Sequence, residues 1–339
     1  MKISLLIPCH NEEKSIRRCV ESCLAQTRLP DQIIVVNDGS TDQSGEILKE
    51  FSDCIEVLTI PVATGNKSYA QERGLERVTG DYFITTDGDT ILENHFVEHI
   101  EKKIIDNPHA AAVCGYVKSL RFNWITACRE LEYVLGQDLH KLAQSYIHSI
   151  FVIPGCAGAF KTSLFRGEIT FDHDTLTEDL DFTYKLHQRY YDIVYEQRAV
   201  SYTQDPATLG SYINQMRRWY CGGWQNLRKH YKIVKKPNNA LQLSLAYIEG
   251  FVFSIALFLF LLIDLRFFLY FIPTYLFFIL SLGTYAAIVR KRWDLFYFAP
   301  TSVIFIFVNA YIFLEQFWKE IVLGRTNLVW FQPERRENT

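Results

Sequence analysis

Three long apolar segments, Leu243 to Ile263, Phe267 to Val289 and Phe296 to Phe317, decide what this chain can become. The first is 21 residues with one charge, Glu249; the second has none; the third has only Glu315, near its end. At ~1.5 Å per residue such a helix spans about 31 Å, close to the thickness of a bilayer's hydrocarbon core. A water-soluble helical core would interrupt runs of this length with more charge. Asp264-Leu265-Arg266 leaves room only for a tight hairpin. Of the chain's 35 Lys+Arg and 38 Asp+Glu, about eight fall between Ala240 and Phe317, so the remainder reads as soluble. The expected organisation is a soluble domain over 1–206, an amphipathic region over 207–239, about three transmembrane helices over 240–318 and a polar tail over 319–339.

The first half alternates instead. Ile3 to Pro8 is a short apolar run ended by proline. Asn11 is placed to cap the helix after it, in which Ile16, Cys19, Val20, Cys23 and Leu24 recur at helical spacing. Gln32 to Val36 is strand-like and is stopped by Asp38-Gly39-Ser40. Asp42 to Phe51 and Ser68 to Val78 are predicted helices, and Ile55 to Ile60 a third strand. Asp81 to Thr86 is a fourth strand, ending at Asp87-Gly88-Asp89. Strand–helix alternation predicts an α/β domain, with a mostly parallel sheet covered by helices on both faces. Ligands of such sheets bind at the carboxyl ends of the strands, so Asn11-Glu12, Asp38 and Asp87-Gly88-Asp89 should converge on one crevice.

Leu209 to Tyr231 interleaves Arg217, Arg218, Arg228 and Lys229 with Trp219, Tyr220 and Trp224, which suits a helix lying at a membrane interface. Arg290-Lys291-Arg292 should sit in the cytoplasm, and the soluble domain with it. Three full crossings would put Trp318 to Thr339 outside. Yet Lys319, Arg325, Arg335 and Arg336 favour the inside, so either one segment is re-entrant or interfacial, or the charge rule fails here. A net charge of -3 makes no case for nucleic acid. The eight cysteines form no C-x-x-C pair, and Met1 runs straight into a strand-like segment. Free thiols in a reducing cytoplasm are expected.

Four groupings carry chemistry. Two carboxylates one residue apart past a buried strand, Asp87 and Asp89, can grip a divalent cation that bridges a diphosphate, though such a triplet is also a common turn. Lys67, just before a helix, is placed to meet phosphate, or is simply a solvated helix start. Thr177-Glu178-Asp179 opens a helix: Thr177 caps it and acids suit the first turn. Asp181 follows as well, and three acids in four residues exceed what a cap needs. Gln215-Met216-Arg217-Arg218-Trp219 offers bidentate donors for a diphosphate and an indole face for a sugar, or snorkelling arginines on an interfacial helix.

Taken together, these pieces resemble the family 2 glycosyltransferases, and most of all the membrane-embedded branch with the cellulose, chitin, hyaluronan and poly-N-acetylglucosamine synthases and the ceramide glucosyltransferases. Leu6 to Glu13 followed by Val36 to Thr41 is similar to that family's nucleotide-binding start. Asp87-Gly88-Asp89 resembles its metal motif, Pro154 to Lys161 its acceptor-site loop, Thr177-Glu178-Asp179 its T-E-D and Gln215 to Trp219 its Q-x-x-R-W. The five stand in order over about residues 1–230. The resemblance implies a GT-A fold and inverting transfer from a UDP-sugar to a glycan or lipid hydroxyl, forming a β linkage with Mg²⁺ or Mn²⁺. It implies that Pro8, Asn11, Glu12, Asp38, Lys67 and Asp87 hold the nucleotide and that Asp89, with Asp87, holds the metal. Asp179 would be the general base; Gly155, Cys156, Glu178, Gln215, Arg218 and Trp219 would serve the acceptor and diphosphate. The helix's positive end is expected to keep Asp179 ionised, a weak base acting through position.

Polymer synthases usually carry membrane helices before the catalytic domain, and this chain has none ahead of Ile3. A single-transfer glycolipid enzyme therefore stands beside a polysaccharide synthase, and a polyprenyl-phosphate transferase ranks third because such relatives generally lack Q-x-x-R-W. An inactive membrane scaffold would have lost one of Asp89, Asp179 or Arg218, and all are present. A nicotinamide dehydrogenase would need G-x-G-x-x-G where the chain has Pro8 to Glu13. The expected location is a plasma or inner membrane, with the catalytic domain cytoplasmic.

Overall fold

The structure is a computed structural model, described over residues 1–328 and residue 336. Its first half runs β1 (Ile3–Cys9), α1 (Ile16–Leu24), β2 (Gln32–Asp38), α2 (Ser44–Lys49), β3 (Glu56–Ile60), α3 (Lys67–Leu75) and β4 (Tyr82–Thr85). Then come β5 (Ile91–Leu92), α4 (Phe96–Asp106), β6 (Ala110–Ser119), α5 (Trp124–Val134), β7 (Gly158–Lys161), α6 (Glu178–Gln188) and β8 (Asp192–Thr203). β1 is buried throughout. Its odd-numbered Ile3, Leu5 and Ile7 join Ile16, Cys19 and Val20 of α1 in one core, while Leu6 turns to Ala70 and Leu75 of α3. β2 divides the same way, Ile33 and Val35 against Ile34 and Val36. Alternate side chains leave a strand on opposite faces, so a strand apolar on both must be covered twice.

The eight strands lie in the order β3-β2-β1-β4-β7-β6-β8-β5. β1 pairs in parallel with β2 and β4, β2 with β3, and β6 with β8. β7 runs antiparallel between β4 and β6, and β5 antiparallel on β8. That reversal positions the site. Gly158, first in β7, sits opposite Thr85, last in β4, so the loop entering β7 arrives where the parallel strands end.

Two local expectations fail. Asn11 does not cap α1: Ser15 stands at that helix's N-terminus, and Asn11 adopts φ 52°. Thr177 precedes α6, but its hydroxyl makes no capping bond, because it accepts from Asn226 Nδ2 at 3.0 Å.

α7 (Leu209–Lys229) follows the sheet. Two of its basic residues are paired with acids. Arg217 pairs with Glu315 at 2.9 Å, and Lys229 with Asp172, Asp174 and Asp181. Tyr212, Met216, Cys221 and Trp224 are buried.

Three helices are long and apolar enough to cross a membrane: α8 (Pro237–Ile263), α9 (Phe267–Arg290) and α10 (Asp294–Val322). α8 and α9 form the expected hairpin, and its far end is bare, with Leu262 84% exposed. α8 starts against the catalytic domain, where Ser149 Oγ donates to Asn239 Oδ1 at 2.7 Å. α9 ends there, with Arg290 on Glu130 at 3.1 Å.

α10 behaves otherwise. Near its start, Arg292 reaches Asp294 at 2.9 Å and the Ser119 carbonyl at 3.4 Å. It then runs along α7: Tyr212 OH donates to Asn309 Oδ1, Arg217 pairs with Glu315, and the Cys221 thiol donates to Glu320 Oε1 at 3.0 Å. Its start therefore touches the catalytic domain, and its later turns pack along α7. Arg336 is on the same side, exchanging backbone hydrogen bonds of 3.1 Å with the Gln204 side chain. Of the tail's basic residues, Arg335 lies outside the described residues.

Candidate active site

A cleft of about 640 Å³ opens at the carboxyl ends of β1, β2 and β4. Pro8, Glu12, Asp38, Lys67, Asp87, Asp89, Gly155, Cys156, Glu178, Asp179, Gln215, Arg218 and Trp219 all line it. Asn11 does not. Its left-handed backbone turns it to the next loop, where its amide N–H donates to Ser40 Oγ and its Oδ1 accepts from Thr41 N–H at 2.8 Å. Asn11 thus ties the loops after β1 and β2 together.

At the β1–β2 end, Glu12 is buried and accepts from Ser15 Oγ at 2.6 Å. Asp38 is buried with both oxygens taken by Thr64, through its N–H at 2.9 Å and its hydroxyl at 2.6 Å. These two acids are fixed before any ligand arrives.

Lys67 does not point at open space. Its ammonium bridges Asp87 Oδ1 at 2.6 Å and Glu178 Oε1 at 2.7 Å. Burial works against its charge, but Asp87 and then Glu178 prevail and hold its pKa above the ordinary lysine value. Gly155 covers this bridge: a Cβ there would stand 2.9 Å from Lys67 Nζ and 3.4 Å from Glu178 Oε1. The loop before β7 is glycine where it must lie flat on the ion pair.

Asp179 is held by two backbone donors, Leu180 N–H at 2.8 Å and Gly155 N–H at 3.3 Å. Its position in the first turn of α6 was expected to keep it ionised. It does stay mostly ionised at pH 7, but burial, and then the neighbouring Glu178 charge, push its pKa up to about 6, against the opposing pull of Lys67, the Leu180 N–H and Arg218. A carboxylate near 6 is a better base at neutral pH than an unperturbed one. Asp181, by contrast, is outside the cleft. It is buried among Lys185 at 2.6 Å, His230 at 2.7 Å and Lys229 at 2.9 Å, so the third acid of the cluster is structural.

The Gln215–Trp219 stretch reaches Asp179 because α7 seats against the start of α6. Gly222 allows the approach: a Cβ there would come 2.4 Å from Thr177 Oγ1. Asn226 Nδ2 locks it, donating to the Thr177 carbonyl at 3.1 Å and the Thr177 hydroxyl at 3.0 Å. Trp219 is braced from behind by the buried Arg129, 4.8 Å from its ring, which itself pairs with Asp205 at 3.3 Å. Sequence reasoning missed Gly222, Asn226, Arg129 and Asp205. The paired Gly222-Gly223 inside a helical pattern is the one signal that pointed to close packing.

For a divalent metal the donors are Asp87 and the buried Asp89; no group of three His, Cys, Asp or Glu side chains forms among the described residues. Mg²⁺ is commonly held by one or two carboxylates with substrate phosphates completing the shell, so this pair fits. The Cys156 thiol is pushed up by burial and then by Asp87 and Asp89, which places it beside them as a neutral wall. All eight cysteines are free.

Comparison with known proteins agrees with this architecture. Residues 4–166 match the family model for glycosyl transferase family 2. Among curated proteins it is similar to poly-beta-1,6-N-acetyl-D-glucosamine synthase of Staphylococcus epidermidis, 29% identical over 232 residues, 68% of this chain and 56% of that one. The Staphylococcus aureus (strain COL) synthase is 27% identical over 231 residues, with the same shares. The chain thus spans little more than half the length of these relatives. Among solved structures, the mannosyltransferase PcManGT from Pyrobaculum calidifontis, in complex with GDP-Man and Mn²⁺, superposes with TM-score 0.66 at 18% identity, covering 89% of this chain and 87% of that one. S. aureus TarS 1-349 in complex with UDP superposes with TM-score 0.54 at 17% identity, covering 94% and 92%. These likenesses establish the shared GT-A fold.

Proposed function

We propose that this protein is a membrane-bound inverting glycosyltransferase that moves a sugar from a UDP-sugar to a glycan or lipid hydroxyl, forming a β linkage. One observation carries the reading: a single cleft holds Asp87 and Asp89, the base candidate Asp179, and Arg218 with Trp219. Glu12 and Asp38 take the nucleoside end. Asp89 and Asp87 would hold Mg²⁺ or Mn²⁺, which when bound supplies positive charge to the departing diphosphate. Arg218 adds a fixed guanidinium on the Asp179 side, where its charge is felt. Asp179, about nine-tenths ionised at pH 7 for a pKa of about 6, takes the proton of the acceptor hydroxyl. Trp219 gives the acceptor sugar a stacking face. Lys67, held by two carboxylates, sets their charge balance rather than receiving phosphate directly.

The curated relatives favour N-acetylglucosamine as the sugar and a polysaccharide as the product. The basic cluster Arg290 to Arg292 supports a cytoplasmic catalytic domain, on the side where UDP-sugars are made. The α8–α9 hairpin then crosses and returns, α10 rests at the near interface, and the tail stays inside. Purified protein in detergent, given a panel of UDP-sugars with Mg²⁺ or Mn²⁺, should release UDP with one of them and extend or cap an acceptor. Asp179→Asn should abolish transfer and keep UDP affinity. Loss of UDP binding in that variant would make Asp179 a nucleotide or structural ligand instead.

A further inference from the structure

The cleft has a second arm that the roles above leave unused. Its wall is one stripe of the helical segment that begins as α5: Tyr133, Gln137 and Lys141, four residues apart. The stripe faces the cleft because α5 runs on into a π-turn over Leu135–Lys141, a widening often found at functional sites. Tyr133 and Gln137 are engaged, Tyr133 OH donating to Asp205 at 3.0 Å and Gln137 accepting from Tyr195 OH at 3.1 Å. Lys141 is different. It is only 6% exposed, yet it takes part in no ion pair with a carboxylate among the described residues. Its company is the Tyr195 ring at 6.0 Å and the Cys114 thiol. The acids of its own segment look elsewhere: Glu130 to Arg290, Glu132 to Tyr212 and Arg129, Asp138 to Tyr116 and Arg290. The stem is buried while the residue lines the cleft, so its charge is presented to whatever enters there, and a cation without an acidic partner is a place for an anion.

Position says whose anion. Lys141 stands over β6 and β8, at Cys114 and Tyr195. Cys114 pairs with Gly158, and Gly158 with Thr85, so two strand spacings, about 10 Å, separate it from the end of β4 where Asp87 and Asp89 follow. Lys141 and Asp179 line the same cleft, so a molecule presenting a hydroxyl to Asp179 can extend toward Lys141. Beside it, Phe151 and Val152 carry the cleft toward Trp224 of α7, Tyr247 of α8 and Phe313 of α10, the last two on helices apolar enough to enter a membrane. Resting on the transferase reading above, we infer that Lys141 binds an anionic group, phosphate or carboxylate, carried by the acceptor, and so selects a charged acceptor over a neutral one.

The full chain in detergent, saturated with UDP, is titrated calorimetrically with dioctanoyl phosphatidate against dioctanoylglycerol, and with a disaccharide ending in glucuronate against its glucose counterpart. Wild type should bind the anionic member of at least one pair tenfold or more tighter. Lys141→Met should lose that preference, Lys141→Arg should keep most of it, and UDP affinity should be unchanged in all three. A preference confined to the first pair identifies a lipid headgroup, and one confined to the second an acidic glycan. No anionic preference in wild type, or one that survives in Lys141→Met, overturns the inference. Failure of wild type to bind UDP would instead overturn the transferase reading.

Discussion

Replacing Gly222 by alanine tests the claim that the seating of α7 on α6 holds the catalytic geometry. The new Cβ would stand 2.4 Å from Thr177 Oγ1 and 2.6 Å from its Cγ2, where ordinary contact begins at 3.4 Å. Relief needs a shift of 1.0 Å, the difference between 3.4 Å and 2.4 Å. Thr177 cannot yield alone, because its carbonyl and hydroxyl are both held by Asn226 on the same helix as the intruding methyl. The helices must part, moving Gln215, Arg218 and Trp219 away from Asp179. A misplacement of about 1 Å at a reacting centre costs on the order of a hundredfold in rate, and overpacking of this kind costs about 1–3 kcal/mol of stability. Transfer by Gly222→Ala should therefore fall about a hundredfold. UDP affinity should stay within about twofold of wild type, since Glu12 and Asp38 are held by other loops. Gly210→Ala, on the same helix with nothing within 4 Å of its Cβ, is the control and should transfer normally. A Gly222→Ala enzyme with the wild-type transfer rate would refute the argument.

Three further outcomes are expected. Because Asp179 must be ionised to accept a proton and its pKa is raised to about 6, transfer should drop tenfold per pH unit below about pH 6 and flatten above it; a rate independent of pH between 5 and 7 would contradict the base assignment. Asp89→Asn should lose metal-dependent UDP release while its melting profile stays cooperative, as each ~1.4 kcal/mol of lost leaving-group stabilisation is a tenfold loss in rate; EDTA-insensitive activity in wild type would argue against the metal. In intact cells, a cysteine placed at Lys49 or Arg325 should resist an impermeant thiol reagent and one placed at Leu265 should react, which separates two crossings from three.

Much of the site was legible because its chemistry sits where a parallel sheet puts it. Glu12, Asp38, Asp87 and Asp89 follow strand ends, and strand ends are readable from β-branched runs and their polar stops. What escaped depends on contacts between distant segments. Asn11 looked like a cap until the backbone turned it to Thr41. Asp181 looked like one acid more than a cap needs until the end of α7 brought Lys229 and His230 against it. Lys141 faces the cleft only through a π-turn, which leaves no periodic trace. α10 is long and apolar enough for the expected third crossing, and its packing along α7 rests on few polar side chains. Asn309, Gln316 and Glu320, spaced for one helical face, are the trace it leaves.

α7 carries Arg218 and Trp219 toward the cleft, and much of the rest of its surface is covered by α10, whose outward Ile304, Tyr311 and Ile321 stay bare. α10 is thereby part of the scaffold of the cleft: it packs on α7, and α7 carries the arginine. A soluble fragment ending at Lys236 would keep every residue named by the motifs and still lose Phe305, Asn309 and Phe313, against which Tyr212 and Trp224 are packed. Cutting away the membrane helices would not free a catalytic domain; it would remove the floor on which half of its active site stands.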